Sequence, residues 1–461
     1  MRFVLATIIA VSAVAAAGAV SSTPPPSLVV TGVHLQRIDG WGSALTSDQE
    51  PLLSPSDVTP ALQRTLYSLL LRRLGVNVVR VFVGDFGPAA APPPADGTAG
   101  AMAQRAAFIR VARAHGVRIM LTGADAPAAW KSGNRLRQGM EARYGDYLIA
   151  WAERLRAVGA RGDYLAAGNE ISNPDYFNMS GDQAALVYRR LARRIRADHL
   201  SIRLAIGDNE NFTDTGRYST LELRDPLVAR YAALVASHAY NGLGSSGPQA
   251  QRDLSALARS RGLRLWMTEH LPPAPPPGSC GDPGTVNDSI RSALAVADDI
   301  TTLMSGAARP NAYLTLRSVA RDHGPSIAAI VLTPPTADCR RPAPATGFVL
   351  TKRFYAQLQY TRAAPHGSVR LAVRQRLPSG LKAIAFRAPA AGRRVVLLNE
   401  SGTDRRVSLD LGARSGRLEA RRTSASEGFA RLVLGRYRGR PTLVEAPAMS
   451  VTTFFLARLA G

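Results

Sequence analysis

Lysine is nearly absent. Of the 57 basic residues in this 461-residue chain, only Lys131, Lys352 and Lys382 are lysine; the rest are arginine. A net charge of +23 would ordinarily suggest a polyanionic partner, nucleic acid above all. The arginine skew argues otherwise, because it reads as codon composition rather than a footprint for phosphate. The densest run, Arg189, Arg190, Arg193, Arg194 and Arg196, shares a helical repeat with apolar Val187, Leu191 and Ile195, as a solvated basic face does. The sequence therefore points away from nucleic acid and leaves electrostatic association with acidic polymers as a role for the charge. Cysteine is also scarce, with Cys280 and Cys339 alone. Neither has a second Cys or a His at ligand spacing, which argues against zinc. In an oxidising compartment the two could form a disulfide that restricts the unfolded chain. Aromatic residues make up 6% of the chain, too few to mark an extended stacking platform. No glycine-rich phosphate loop follows the first strand-like segment, which counts against a doubly wound nucleotide-binding sheet.

Long hydrophobic runs are missing except at the start. Arg2 precedes an apolar run from Phe3 to Val14 and then small residues, Ala15 to Ala19. That pattern predicts a signal peptide over residues 1–19, cleaved after Ala17 or Ala19, and a secreted mature protein. The run is short for a membrane anchor, and no later stretch is apolar enough to make an integral membrane segment.

From about Gln36 to Ala320, short apolar runs alternate with amphipathic stretches. Strands are expected at Arg37–Trp41, Val78–Val83, Val117–Thr122, Tyr164–Ala167, Ile202–Ile206, Leu234–His238, Leu263–Met267 and Asn311–Leu316. Helices are expected at Pro60–Leu74, Ala101–His115, Tyr144–Val158, Asp182–Asp198, Gln249–Arg261 and Ser289–Met304, each with apolar spacings of three and four. This alternation predicts an α/β chain, a TIM (β/α)8 barrel spanning residues 36–346. After Gly347 the pattern becomes short strands punctuated by Gly, Pro, Ser and Asp, which predicts an appended antiparallel β-sandwich over residues 347–461. Residues 20–35 contain Ser27–Thr31, an extra strand expected to join that sandwich.

Two glutamates end apolar runs: Glu170 in Gly168-Asn-Glu170 and Glu269 in Trp266-Met-Thr-Glu269. A carboxylate closing a buried strand costs desolvation unless it is paired or functional. Two carboxylates facing one another across a barrel mouth can cut a glycosidic bond, one protonating the leaving oxygen and the other attacking the anomeric carbon. Asn169 could then hydrogen-bond a sugar 2-hydroxyl, and His238 and Tyr240 could orient Glu269. Arg80 could hold a site carboxylate ionised or pair with Asp85. Taken singly, each has a duller reading: loop salt bridges for the acids, core packing for His238 and Tyr240.

The order of these motifs resembles glycoside hydrolase family 30. Ile38-Asp-Gly-Trp41-Gly-Ser43 looks like that family's first strand, and Leu74-Gly-Val-Asn-Val-Val-Arg80 with Gly84-Asp-Phe86 like its second. Ala126-Pro-Ala-Ala-Trp130-Lys131 is similar to its loop after strand three. Gly168-Asn-Glu170, Ser237-His-Ala-Tyr240 and Trp266-Met-Thr-Glu269 match strands four, six and seven. Arg353 to Arg362, with Gly367-Ser-Val-Arg370, looks like the entry to its sandwich. The resemblance implies a retaining β-glycosidase with Glu170 as acid/base, Glu269 as nucleophile, Asn169 at the 2-hydroxyl, and no metal or organic cofactor. It implies a carbohydrate substrate contacted by Arg80, Trp130, His238, Tyr240 and Trp41. Substrates of the family include β-1,6-galactan, β-1,6-glucan, xylan or glucuronoxylan, and glucosylceramide. The sequence departs from the pattern in three places. Ile171 replaces the proline after the acid/base, Gly123-Ala-Asp-Ala-Pro127 alters the strand-three loop, and Leu316-Arg317 stands where a tryptophan floors the sugar site. Arg317 is accordingly expected to face an acidic sugar. The competing readings are a carbohydrate-binding protein without catalysis and a polyanion binder on the same scaffold.

Overall fold

A computed structural model of the chain describes residues 25–45, 58–84, 101–240, 245–270, 289–316, 318–320, 329–333, 345–389, 392–413 and 415–457. Residues 1–19, read above as a signal peptide, and Asp85, Cys280, Cys339 and Arg317 lie outside the described residues. No helix among the described residues is long and apolar enough to cross a membrane.

Eight parallel strands close a barrel: Gly40–Leu45, Val78–Val83, Arg118–Gly123, Tyr164–Ala166, Arg203–Asn209, Ala232–His238, Arg264–His270 and Ala312–Leu316. We refer to them as strands one to eight. Alternation along the strands sorts their side chains between two environments. Val78, Met120, Ala166, Ala205, Ala236, Trp266 and Leu314 meet inside the barrel. Their neighbours Val79, Val81, Ile119, Leu121, Leu165 and Val235 face the surrounding helices. Alanines and glycines leave room inside for Trp266 and Arg80. At Gly42 a Cβ would sit 2.4 Å from the Leu314 side chain. The base of the barrel is closed by Trp266, whose Nε1 donates to Asp39 at 3.0 Å.

The first barrel strand starts at Gly40 rather than Arg37. Ser27–Arg37 is one long strand of the other domain, and the chain steps across at Ile38 and Asp39, whose N–H groups bond Ser368 and Asn311. Between strands five and six lie two helices, Phe212–Glu222 and Pro226–Tyr231, that apolar periodicity does not reveal. The buried stripe of the first is Phe212, Thr215, Tyr218, Ser219 and Glu222, a helical spacing carried mostly by polar residues. A further helix, Lys352–Ala363, follows strand eight.

The second domain is a nine-stranded, mostly antiparallel sheet. Ser27–Arg37 pairs antiparallel with Val369–Arg376 and parallel with Arg405–Asp410. Its strands split their residues between two cores. Ala383, Ala385, Val395 and Leu397 enter the domain's own core. Ile384, Phe386, Val396 and Leu398 join the large core that contains the barrel's outer helices. One face of the sheet is thus a continuation of the barrel's packing.

Candidate active site

At the C-terminal ends of strands two, four, five, six and seven, charged side chains converge. Arg80 sits on strand two between Val79 and Val81, which point outward; parity turns Arg80 inward. It is fully buried and satisfied by three partners. Nε and a terminal nitrogen donate to Asp208 at 3.1 and 2.8 Å, Nη1 to Glu269 at 2.8 Å, and Nη2 to the Asn169 oxygen at 2.6 Å. Burial works against its charge, but Asp208 and Glu269 outweigh that and raise its pKa further.

Glu170 follows strand four with φ of 48°. This left-handed conformation is costly for a residue with a Cβ and is held by surrounding hydrogen bonds. Asn169 N–H bonds the Gly123 carbonyl at 3.0 Å, and Glu170 N–H bonds the Asp208 carbonyl at 2.9 Å. Ile171, in place of the expected proline, is fully buried. Its side chain presses on Gly168, where a Cβ would lie 2.5 Å away. Glu269 is the penultimate residue of strand seven, at an irregularity in register, and keeps slight exposure. Its Oε1 accepts from the Tyr240 hydroxyl at 3.2 Å. One ligand-type atom from each of Glu170, His238 and Glu269 lies within 4.8 Å of the other two, so the two carboxylates face each other at this site.

His238, at the end of strand six, is buried with Nδ1 2.7 Å from Glu170 Oε1 and Nε2 3.4 Å from Asp208 Oδ1. Burial lowers its pKa, yet the charge of Glu269 and bonds to Asp208 and Glu170 reverse this and lift it to about 9. Asp208 is the member that sequence reading missed. It follows Gly207, and both adopt positive φ. A Cβ at Gly207 would lie 2.8 Å from Thr215 and 3.0 Å from the Ala236 carbonyl, so only glycine permits the turn that aims Asp208 inward. Burial raises the Asp208 pKa, but Arg80, His238 and Thr268 together hold it well below the usual carboxylate range. Thr268 donates to it at 2.6 Å and Thr122 at 3.3 Å. In the sequence Gly207-Asp-Asn-Glu210 reads as an ordinary turn; a polar run ending an apolar strand was the available signal.

A further group of side chains stands behind Glu269. His270 stacks on Tyr240 with ring centroids 5.4 Å apart, and its Nε2 meets Asp299 at 3.0 Å. Tyr313 also donates to Asp299, at 2.5 Å. At the rim, Tyr176 is 52% exposed. Partial burial and then the charges of Glu170 and Glu269 raise its pKa, which places it within electrostatic reach of both. Its loop is braced by Asn178, which donates to the Tyr176 carbonyl at 3.0 Å, and by Asn134, which donates to the Asp175 carbonyl at 3.1 Å.

The structure brings Glu170, Glu269, Asn169, Arg80, His238 and Tyr240 together. It does not bring Trp41. That ring points outward from strand one, donates to the Ala364 carbonyl at 2.6 Å and packs near Tyr360 at 6.1 Å. Strand parity explains the correction: Gly40 and Gly42 face inward, so Trp41 cannot. Trp130 is half-buried on the loop after strand three, edge-on to Tyr147 at 5.9 Å. Beside it Lys131 pairs with Asp125 at 2.6 Å. Glu170, His238 and Glu269 carry donor atoms a metal could use. In this arrangement Glu170 is bonded by His238 and Glu269 by Arg80, a fixed cation.

This architecture has known counterparts. The chain matches xylanase Xyn30A of glycoside hydrolase family 30 subfamily 8 from Clostridium acetobutylicum at 19% identity and a TM-score of 0.67, over 94% of this chain and 99% of that one. It matches the catalytic domain of the family 30 xylanase C from Talaromyces cellulolyticus at 20% identity and a TM-score of 0.72, over 94% and 100%. The endo-β1,6-glucanase BT3312 matches at 14% and 0.66, over 94% of each chain. No protein-family model and no curated protein sequence matches. The chain therefore shares the TIM-barrel-and-β-sandwich fold of these glycoside hydrolase family 30 structures.

Proposed function

We propose that this protein is a secreted, retaining β-glycoside hydrolase. The observation that carries the reading is the facing of Glu170 and Glu269, one carboxylate oxygen of each lying within 4.8 Å of the other. Retaining glycosidases hold their carboxyl groups about 5–5.5 Å apart, whereas inverting ones leave space for a water at about 6.5–9.5 Å. Glu269 attacks the anomeric carbon, and Arg80 and Tyr240 aim its oxygens. Glu170 protonates the departing oxygen and then takes a proton from the incoming water. Asn169 has its oxygen committed to Arg80, which turns its amide N–H groups toward a sugar hydroxyl. The first step requires Glu170 to carry the proton that it gives to the leaving oxygen. Tyr176 offers an aromatic face at the rim that substitutes for the missing strand-eight tryptophan. Export rests on the leader-like residues 1–19. β-1,6-Glucan, β-1,6-galactan, xylan or glucuronoxylan, and glucosylceramide remain the substrate classes to survey.

The test is hydrolysis of a panel of β-linked glycans and aryl β-glycosides. Glu269→Gln is expected to lower kcat by about 10³-fold or more on every substrate. Glu170→Gln should damage glycans far more than aryl glycosides whose leaving group needs no proton. Turnover unchanged in both variants would leave the fold without this chemistry.

A further inference from the structure

The opposite end of the barrel carries a second charged site, remote from the glutamates. A pocket of about 550 Å³ lies between Leu35–Arg37, helix Pro248–Ser260, the start of strand seven and residues 307–311. Five of its fourteen lining residues are arginines, Arg37, Arg252, Arg259, Arg264 and Arg309, and none is acidic. Among the described residues, Arg252 and Arg259 reach only the neutral oxygens of Gln249 and Ser255. Arg264 comes no nearer than 3.9 Å to Asp39, which is already bonded to Trp266. Below the pocket, buried Arg370 donates to Gln36 at 2.6 Å and forms no ion pair among the described residues. Burial, and then repulsion from Arg309, push its pKa down to about 10.

The contrast with the densest arginine run is decisive. On helix Gly181–Ala197, Arg189 pairs with Asp225, Arg190 with Asp146, and Arg194 with Asp146 and Asp198. Three of that run's five arginines are thus paired with carboxylates, whereas among the described residues the pocket's five arginines meet only Asp39, at 3.9 Å from Arg264. We infer that the arginine pocket binds the sulfate or carboxylate groups of an anionic glycan. Guanidinium forks match such oxyanions in two-pronged fashion. No aromatic side chain lines the pocket, so nucleobases find nothing to stack on. The choice of a glycan rests on the glycosidase reading above. A chain held at the N-terminal ends of the strands leaves the catalytic mouth free and tethers the enzyme to an acidic matrix.

The test compares two variants of the full chain with equal net charge. One is Arg252→Glu/Arg259→Glu/Arg309→Glu in the pocket; the other is Arg193→Glu/Arg196→Glu/Arg438→Glu on remote faces. Binding to heparin (sulfated) and polygalacturonate (carboxylated) is measured without reference to hydrolysis, so it stands or falls apart from catalysis. The pocket variant should bind at least one polymer about tenfold or more weakly and elute at lower salt, while the remote variant stays near wild type. Arg252→Gln/Arg259→Gln/Arg309→Gln should show the same direction if the reversal fails to fold. Cleavage of neutral aryl glycosides should be unchanged. Equal losses in both charge-reversed variants would reduce the effect to net charge and overturn the proposal. So would single-stranded DNA binding as tightly as heparin through the same three arginines.

Discussion

Arg80 organises the site because one rigid cation meets two carboxylates and an amide at once. Buried, it costs several kcal/mol of desolvation unless fully paired, and removing it would strand Asp208 and Glu269 as uncompensated charges. The same crowding governs His238. Its pKa of about 9 lies above the ordinary 6.5. Its favourable charge interaction is therefore complete below about pH 6.5 and is lost as pH rises through about 9. We expect kcat/KM to fall on the alkaline side near pH 9, and His238→Asn to be slower throughout and to lack that limb; a profile unchanged by the substitution would remove His238 from the network. Six of these side chains were legible as residues because each closes or punctuates an apolar strand. Trp41 was misread because sequence gives a strand's alternation but not which parity faces inward. Asp208 was missed because its approach depends on the left-handed turn at Gly207, which the sequence presents as a common glycine–aspartate pair.

At the scale of elements, helix Phe212–Glu222 shows what apolar periodicity overlooks. Its last residue, Glu222, is buried against strand five, accepting the Gly207 N–H at 3.0 Å, with its other oxygen unpartnered among the described residues. Burial raises its pKa from 4.5 to about 8, and the Gly207 bond opposes this only in part. The folded state therefore holds the proton more tightly than the unfolded chain. Stability from this group is full below about pH 4.5 and declines as pH rises through about 8, by about 1.4 kcal/mol per unit between those limits. Glu222→Gln should melt close to wild type at pH 4.5 and clearly higher at pH 8. A wild-type advantage at pH 8 would mean the carboxylate is stabilised by something absent from this geometry. Helices with an apolar stripe, such as Gly181–Ala197 with Val187, Leu191 and Ile195 inward, were readable from spacing alone.

Across the whole molecule, barrel and sandwich share a core, and this ties their stabilities. Phe386 is buried on the sheet face turned toward the barrel helices, whereas Ala385 beside it belongs to the sandwich's own core. Phe386→Ala should cost about 3–5 kcal/mol and lower one common unfolding transition of both domains. A calorimetric scan in which the sandwich melts early and the barrel melts unchanged would contradict the shared packing. The alternation of strands and helices foretold the barrel, and short punctuated strands foretold the sandwich. The crossing at Ile38 was only partly legible: Ser27–Thr31 was read as a strand of the sandwich, but its run on to Arg37 was not, and Arg37 was assigned to the first barrel strand, which begins at Gly40. The account as a whole rests on double displacement between Glu170 and Glu269. It is tested most directly by proton NMR of the first sugar released when the protein is incubated with the panel of β-linked substrates. The account predicts that the β-anomer appears first and mutarotates afterwards; initial release of the α-anomer, or no release from any member of the panel, would contradict it.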